Sequence, residues 1–234
     1  NGFAAYFQNR IEIWASNLDF EYRGTHDWLR DVITHEFTHI ISLSAARKGP
    51  MAVPQLYFQY FGLEPEQRSD VAEGLPNTLV SYAVPTVNVP MWFAEGIAQV
   101  QTDSVRHDWW DSHRDMILRA AVQSDSMLSY REMEGFYEKP GRGYELVYDH
   151  GFAFAKYIAD TFGIESLSAM TRASSAKWRF NFDGAIESVT GKTVKTLYGE
   201  WVESMRVRYE AVISERGARN QGSLVGSANV SAPD

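Results

Sequence analysis

The chain has 234 residues and a formal net charge of −8; 44% of its residues are hydrophobic and 22% charged. This composition excludes a disordered chain, and the acidic balance excludes the basic face that nucleic-acid binding requires. With no cysteine, a disulfide scaffold, a thiolate metal site and a cysteine nucleophile are excluded too. No run of 18 apolar residues exists, so no transmembrane segment is expected. A chain that starts at Asn1 without an initiator methionine or a signal peptide reads as a processed form or an excised fragment. An acidic surface and absent cysteine fit a secreted or periplasmic protein.

In chain order, Asn9 to Ser16 alternates, with Ile11 and Ile13 on one face, and predicts an edge strand. A helix follows to about Ser44, with Thr25 as N-cap and Asp27 in its first turn; Gly49-Pro50 ends that region. Residues 51–89 carry prolines and no helical period, and read as a long insertion of short elements. Pro90 suits the start of a helix to about Thr102. Further helices are expected at about 108–123, 129–135, 146–162, 164–173, 183–189 and 194–215, with Gly163 and Gly191 as C-caps. The small polar residues of 217–234 read as a flexible tail or linker.

The chemistry centres on His35-Glu36-Phe37-Thr38-His39, an H-E-x-x-H motif inside the first helix. Residues four apart share a helix face, so both imidazoles can reach one metal ion. Neutral imidazole is a good zinc ligand, and Glu36 is placed to act as base toward a metal-bound water. At about 100° per residue, Trp28, Val32, Ile33, Phe37, Ile40 and Ile41 form an apolar stripe with Glu36 near its middle. A carboxylate buried there needs a compensating partner. Glu95, in Met91-Trp92-Phe93-Ala94-Glu95-Gly96-Ile97-Ala98, is the candidate third ligand. Two histidines and one carboxylate leave a fourth position for water, as in catalytic zinc sites.

HEFTH followed by WFAEGIA resembles the gluzincin metallopeptidases, the peptidase MA-like clan that includes aminopeptidase N. Tyr148-Asp149-His150-Gly151-Phe152 is similar to the segment whose tyrosine, in the aminopeptidase branch, helps hold the tetrahedral oxyanion. The resemblance covers roughly residues 11–205. It implies an α+β, mainly α fold: a thermolysin- or aminopeptidase-like zincin domain over 1–216, with a small N-terminal mixed sheet and a C-terminal helical bundle. The 51–89 insertion lies between the metal motifs. The resemblance also implies Zn²⁺ on His35, His39 and Glu95, Glu36 as general base and Tyr148 as transition-state donor. Tyr144, one turn earlier, is the weaker candidate. Some exported bacterial relatives join such a domain to a C-terminal β-propeller, so a further C-terminal domain is a possible partner of this one.

The Gly-x-Met-Glu-Asn segment that grips a substrate's free amine in aminopeptidases has no counterpart before His35. Endopeptidase action on a peptide or protein substrate is therefore expected, with the peptide extended along a strand at Ile11 to Ser16. The competing readings are a peptide- or protein-binding module that keeps the fold without catalysis, and a hydrolase of non-peptide amides or esters. Within the insertion, Tyr57, Phe58, Tyr60 and Phe61 are candidates to narrow the cleft, with ordinary packing the alternative. Asp31 is a candidate to orient a ligand imidazole or else a solvated acid beside Arg30; Gln99 is a candidate to support Glu95. His26, His107 and His113 read as surface residues, and His150 as a candidate for the cleft wall.

Overall fold

The computed structural model describes residues 2–14, 28–49, 55–62, 78–107, 109–110, 112–136, 141–179 and 181–216. Thr25, His26, Asp27, Pro50 and the 217–234 tail lie outside them, as do the side chains of Tyr57, Phe58, Tyr60 and Phe61. The described elements are β1 (Gly2–Ala5), β2 (Arg10–Ile13), α1 (Trp28–Ala45), β3 (Gln55–Gly62), β4 (Thr78–Pro85), α2 (Met91–Ser104), α3 (Ser112–Gln123), α4 (Gly141–Phe162), α5 (Glu165–Ser174), α6 (Asp183–Thr190) and α7 (Val194–Arg216). The architecture is α+β and mainly helical, and among the described residues no helix is long and apolar enough to cross a membrane.

Among the described residues the expected mixed sheet is not formed. Both described strand pairs are antiparallel, β1 with β2 (Gly2 opposite Ile13) and β3 with β4 (Gln55 opposite Pro85). The physical reason for the first pair is its connection. A single 3₁₀ turn, Tyr6–Gln8, joins β1 to β2, and a link that short returns the chain only antiparallel. The β3–β4 pair, two eight-residue strands, lies within residues 51–89.

Two helix expectations need revision. The segment 129–135 forms only the 3₁₀ turn Arg131–Met133, because so short a run cannot recover the cost of nucleating an α-helix. Ser129 instead donates to Glu132 through its backbone N–H and its hydroxyl, at 2.7 and 2.6 Å, as in a capping box. Helix α4 begins at Gly141, five residues before the expected start. Gly141 and Gly143 disfavour helix by about 1 kcal/mol each relative to alanine, so the start is invisible to propensity. Gly163 and Gly191 sit at positive φ, +88° and +70°, and end α4 and α6 as expected.

The core lies between α2, α4, α6 and α7. Trp92, Phe154 and Trp201 are fully buried, with ring centroids 4.7 Å apart for Trp92–Phe154 and 5.0 Å for Phe154–Trp201. Each such side chain contributes roughly 1.5–3 kcal/mol by leaving water. Asp115 ties α3 to α7 by accepting from the Tyr209 hydroxyl at 3.0 Å and Arg208 Nη2 at 3.1 Å.

His150, a candidate for the cleft wall, lies instead in this core at 0% exposure. Its Nδ1–H donates to the Leu146 carbonyl at 2.8 Å, and Nε2 accepts a long bond from the Leu128 N–H at 3.4 Å. Burial holds the imidazole neutral and pushes its pKa down to about 4. The sign follows from proton uptake. Between the unfolded value of about 6.5 and the folded one, the unfolded chain binds the extra proton, so stability is lost as pH falls through that window. The full depression corresponds to roughly 3 kcal/mol. Denaturant unfolding at pH 7.5 and pH 4.5 should show His150→Gln losing less stability on acidification than the wild type; equal losses would remove this histidine from the acid response.

Candidate metal centre

Helix α1 carries His35 and His39 one turn apart, and α2 brings Glu95 against them. His35 Nε2 lies 2.9 Å from Glu95 Oε2, His39 Nε2 3.3 Å from the same oxygen, and the two Nε2 atoms 3.0 Å from each other. A tetrahedral ion with bonds of about 2.0–2.1 Å needs ligand atoms about 3.3 Å apart. The three atoms therefore already form one face of such a tetrahedron. Among the described residues no other group of three His, Asp or Glu side chains has this geometry. All three residues are nearly buried, at 9, 8 and 6% exposure, and their nitrogen and carboxylate donors suit a divalent cation.

The electrostatics of the cluster favour a cation. Burial pushes the Glu95 carboxyl up, but the His39 charge and hydrogen bonds from both imidazoles outweigh it and hold the carboxyl well below its usual range. Burial lowers His39, and Glu95 more than reverses this, so the imidazole is more basic than usual. The pocket thus stabilises one positive charge at its centre, which a proton or a metal cation can supply.

Glu36 points into the same cleft. Burial raises its carboxyl pKa above the usual value, against the opposing pull of His35 and His39. Strand β1 covers it so closely that a Cβ on Gly2 would stand 2.7 Å from Glu36 Cγ and 2.7 Å from Val32 Cγ2. Only hydrogen fits there.

The apolar stripe expected on α1 is split. Val32 and Ile40 are buried with His35, Glu36 and His39, whereas Ile33, Phe37 and Ile41 are 44, 54 and 55% exposed. The arc that faces α2 and the β1–β2 hairpin is the polar one, because the metal ligands must point where Glu95 is.

The close approach of α2 and α4 depends on two glycines. A Cβ on Gly96 would lie 2.4 Å from the Gly151 carbonyl oxygen, and one on Gly151 would lie 2.5 Å from the Trp92 oxygen. Gly96 follows Glu95, and Gly151 follows Tyr148 by three, so this crossing brings both motifs to one cleft. Tyr148 lines that cleft with its ring centroid 6.3 Å from that of His35. Tyr144 is 43% exposed and does not line it.

Other side chains fall differently. Asp31 is buried on α1 one turn before His35. Gln99 is buried with Oε1 unpartnered, as is His39 Nδ1. His107 is not a free surface residue, since its Nδ1 hydrogen-bonds Thr34 Oγ1 at 2.8 Å; His113 is half-buried, its Nε2 inaccessible. Gly2, Gly96, Gly151 and Phe136 are contributors that sequence reasoning missed. The glycines beside Glu95 and Tyr148 were the one available signal.

The cleft, of about 630 Å³, is walled by β1, the hairpin tip at Phe7, Leu43, Met91 and Phe136. Comparison of the chain with family models, with curated proteins and with solved structures found no match.

Proposed function

We propose that this protein is a zinc-dependent endopeptidase. The reading is carried by one observation: three ligand atoms 2.9–3.3 Å apart share a cleft wall with a buried carboxylate on the turn between two of them. Zinc held by His35, His39 and Glu95 would supply a Lewis acid and acidify a water at neutral pH. Glu36 takes the proton of the attacking water and returns it to the leaving amine. Tyr148 donates its hydroxyl to the oxygen that gains charge as the carbonyl is attacked.

The peptide lies extended along β1. This strand lines the cleft, and among the described residues it pairs only with β2. Of the strand expected for this task, Ile11 to Ser16, the described residues 11–14 do not line the cleft. Of β2 only Arg10 reaches the cleft wall, because the hairpin turns β1 toward α1.

Purified protein reconstituted with one equivalent of zinc should cut an unbiased peptide library at internal bonds, and a chelator should stop it. Zinc-loaded protein that leaves the library intact would overturn the hydrolytic reading and favour a binding module. Tyr148→Phe should lower kcat by about 10²–10³-fold with KM little changed, the loss typical of one oxyanion donor. A rise in KM alone would make Tyr148 a binding residue.

A further inference from the structure

Resting on the reading of the cleft as a peptide site, we propose that Phe136 forms the wall of a side-chain subsite that selects a bulky apolar residue, aromatic above all, beside the scissile bond. Phe136 stands between the 3₁₀ turn at Arg131–Met133 and α4, half-buried, and lines the cleft. Its ring stacks on Tyr148 with centroids 5.5 Å apart and planes within 20°, and it meets Tyr144 at 5.2 Å. Tyr148 in turn lies 6.3 Å from His35, ring to ring. A substrate side chain resting on Phe136 is therefore one ring away from the group that faces the reacting carbonyl. That places it next to the bond cut.

The chemistry of the walls decides what rests there. Leu43, Met91 and Phe7 continue the apolar lining. Arg10 is the one cation lining the cleft among the described residues, and it is held by Glu12 at 2.6 Å. An acidic substrate residue finds no free cationic side chain in this lining. A small polar residue leaves the Phe136 face wet. A phenylalanine, leucine or methionine covers it and gains from the exclusion of water on both sides.

The test uses zinc-loaded Glu36→Gln protein, so that binding is read without turnover. Two fluorescent peptides identical but for Phe or Ser beside the central bond are titrated by anisotropy. The Phe peptide should bind at least about tenfold tighter. Adding Phe136→Ser should shrink that preference to about twofold or less with zinc content unchanged, while Phe136→Leu keeps most of it. Equal affinity for the two peptides, a preference that survives Phe136→Ser, or binding of neither overturns the subsite. A Phe preference lost with Phe136→Ser in a protein whose wild type cuts nothing would sink the hydrolytic reading and leave Phe136 as the wall of a peptide-binding pocket without a bond cut beside it. Cleavage without any such preference does the reverse.

Discussion

Glu36→Gln should retain a full equivalent of zinc and lose about 10²–10⁴-fold in kcat/KM, the range that a positioned general base contributes. The substitution is nearly isosteric, and Glu36 is not among the three ligand atoms that lie 2.9–3.3 Å apart, so the metal face stays intact. Its effect on the metal-free protein has a definite sign. Burial raises the Glu36 pKa in the fold, so the folded state binds more protons than the unfolded chain between the ordinary value and the raised one. Stability contributed by this group is present at lower pH and is lost as pH rises through that window. An uncharged amide escapes the penalty. Metal-free Glu36→Gln should therefore melt at a higher temperature than metal-free wild type at pH 8, by differential scanning fluorimetry. Undiminished cleavage by the variant would remove Glu36 from the chemistry, and loss of zinc would make it a structural support of the ligands instead.

Gly96→Val should be the most damaging single substitution away from the ligands. The added Cβ would meet the Gly151 carbonyl oxygen at 2.4 Å, its carbon at 2.8 Å and Ala155 Cβ at 3.0 Å. Two of these are backbone atoms of α4, which cannot swing aside as a side chain can. Overpacking typically costs 1–3 kcal/mol, and a clash with backbone belongs at or above the top of that range, about 3 kcal/mol or more. Moving α2 also moves Glu95, so zinc affinity should fall in the fraction that still folds. Gly199 in α7 supplies the contrast, because a Cβ there meets nothing within 4 Å. Gly199→Ala should stabilise by about 0.5–1 kcal/mol through helix propensity alone. Urea unfolding and metal analysis of the two variants check both statements; wild-type stability and zinc content in Gly96→Val would mean that α2 and α4 do not cross as described.

The acid limb from His150 and the loss expected for Tyr148→Phe act on the same framework. His150 shares α4 with Tyr148, two residues away, yet faces the core while Tyr148 faces the cleft. Their opposite fates follow from the helix turn of about 100° per residue. A motif therefore reports that a helix reaches the site without saying which of its polar residues arrive there.

Several features were legible because they rest on local rules. The i, i+4 spacing of His35 and His39 needs only a helix, and α1 supplies it. The helix ends at Gly163 and Gly191 need only a residue tolerant of positive φ. Glu95 could be singled out because an acid among apolar residues demands a partner. The split of the α1 stripe was not legible. Periodicity marks Ile33, Phe37 and Ile41 as apolar, but what covers a face depends on neighbours distant in the chain. Phe136 was hidden for the same reason: nothing local distinguishes it from other aromatics in the chain, and its stacking on Tyr148 exists only once α4 has docked.

The amino-acid order by itself determined which side chains could share an ion, since helical spacing and donor chemistry are properties of short segments. The tertiary structure alone decided that His35, His39 and Glu95 meet within 3.3 Å, that β1 rather than β2 borders them, and that Gly96 and Gly151 let two helices touch. The division is physical. Hydrogen-bonding and conformational preferences act over a few residues, whereas the contacts that build a cleft join parts of the chain whose separation no local preference encodes.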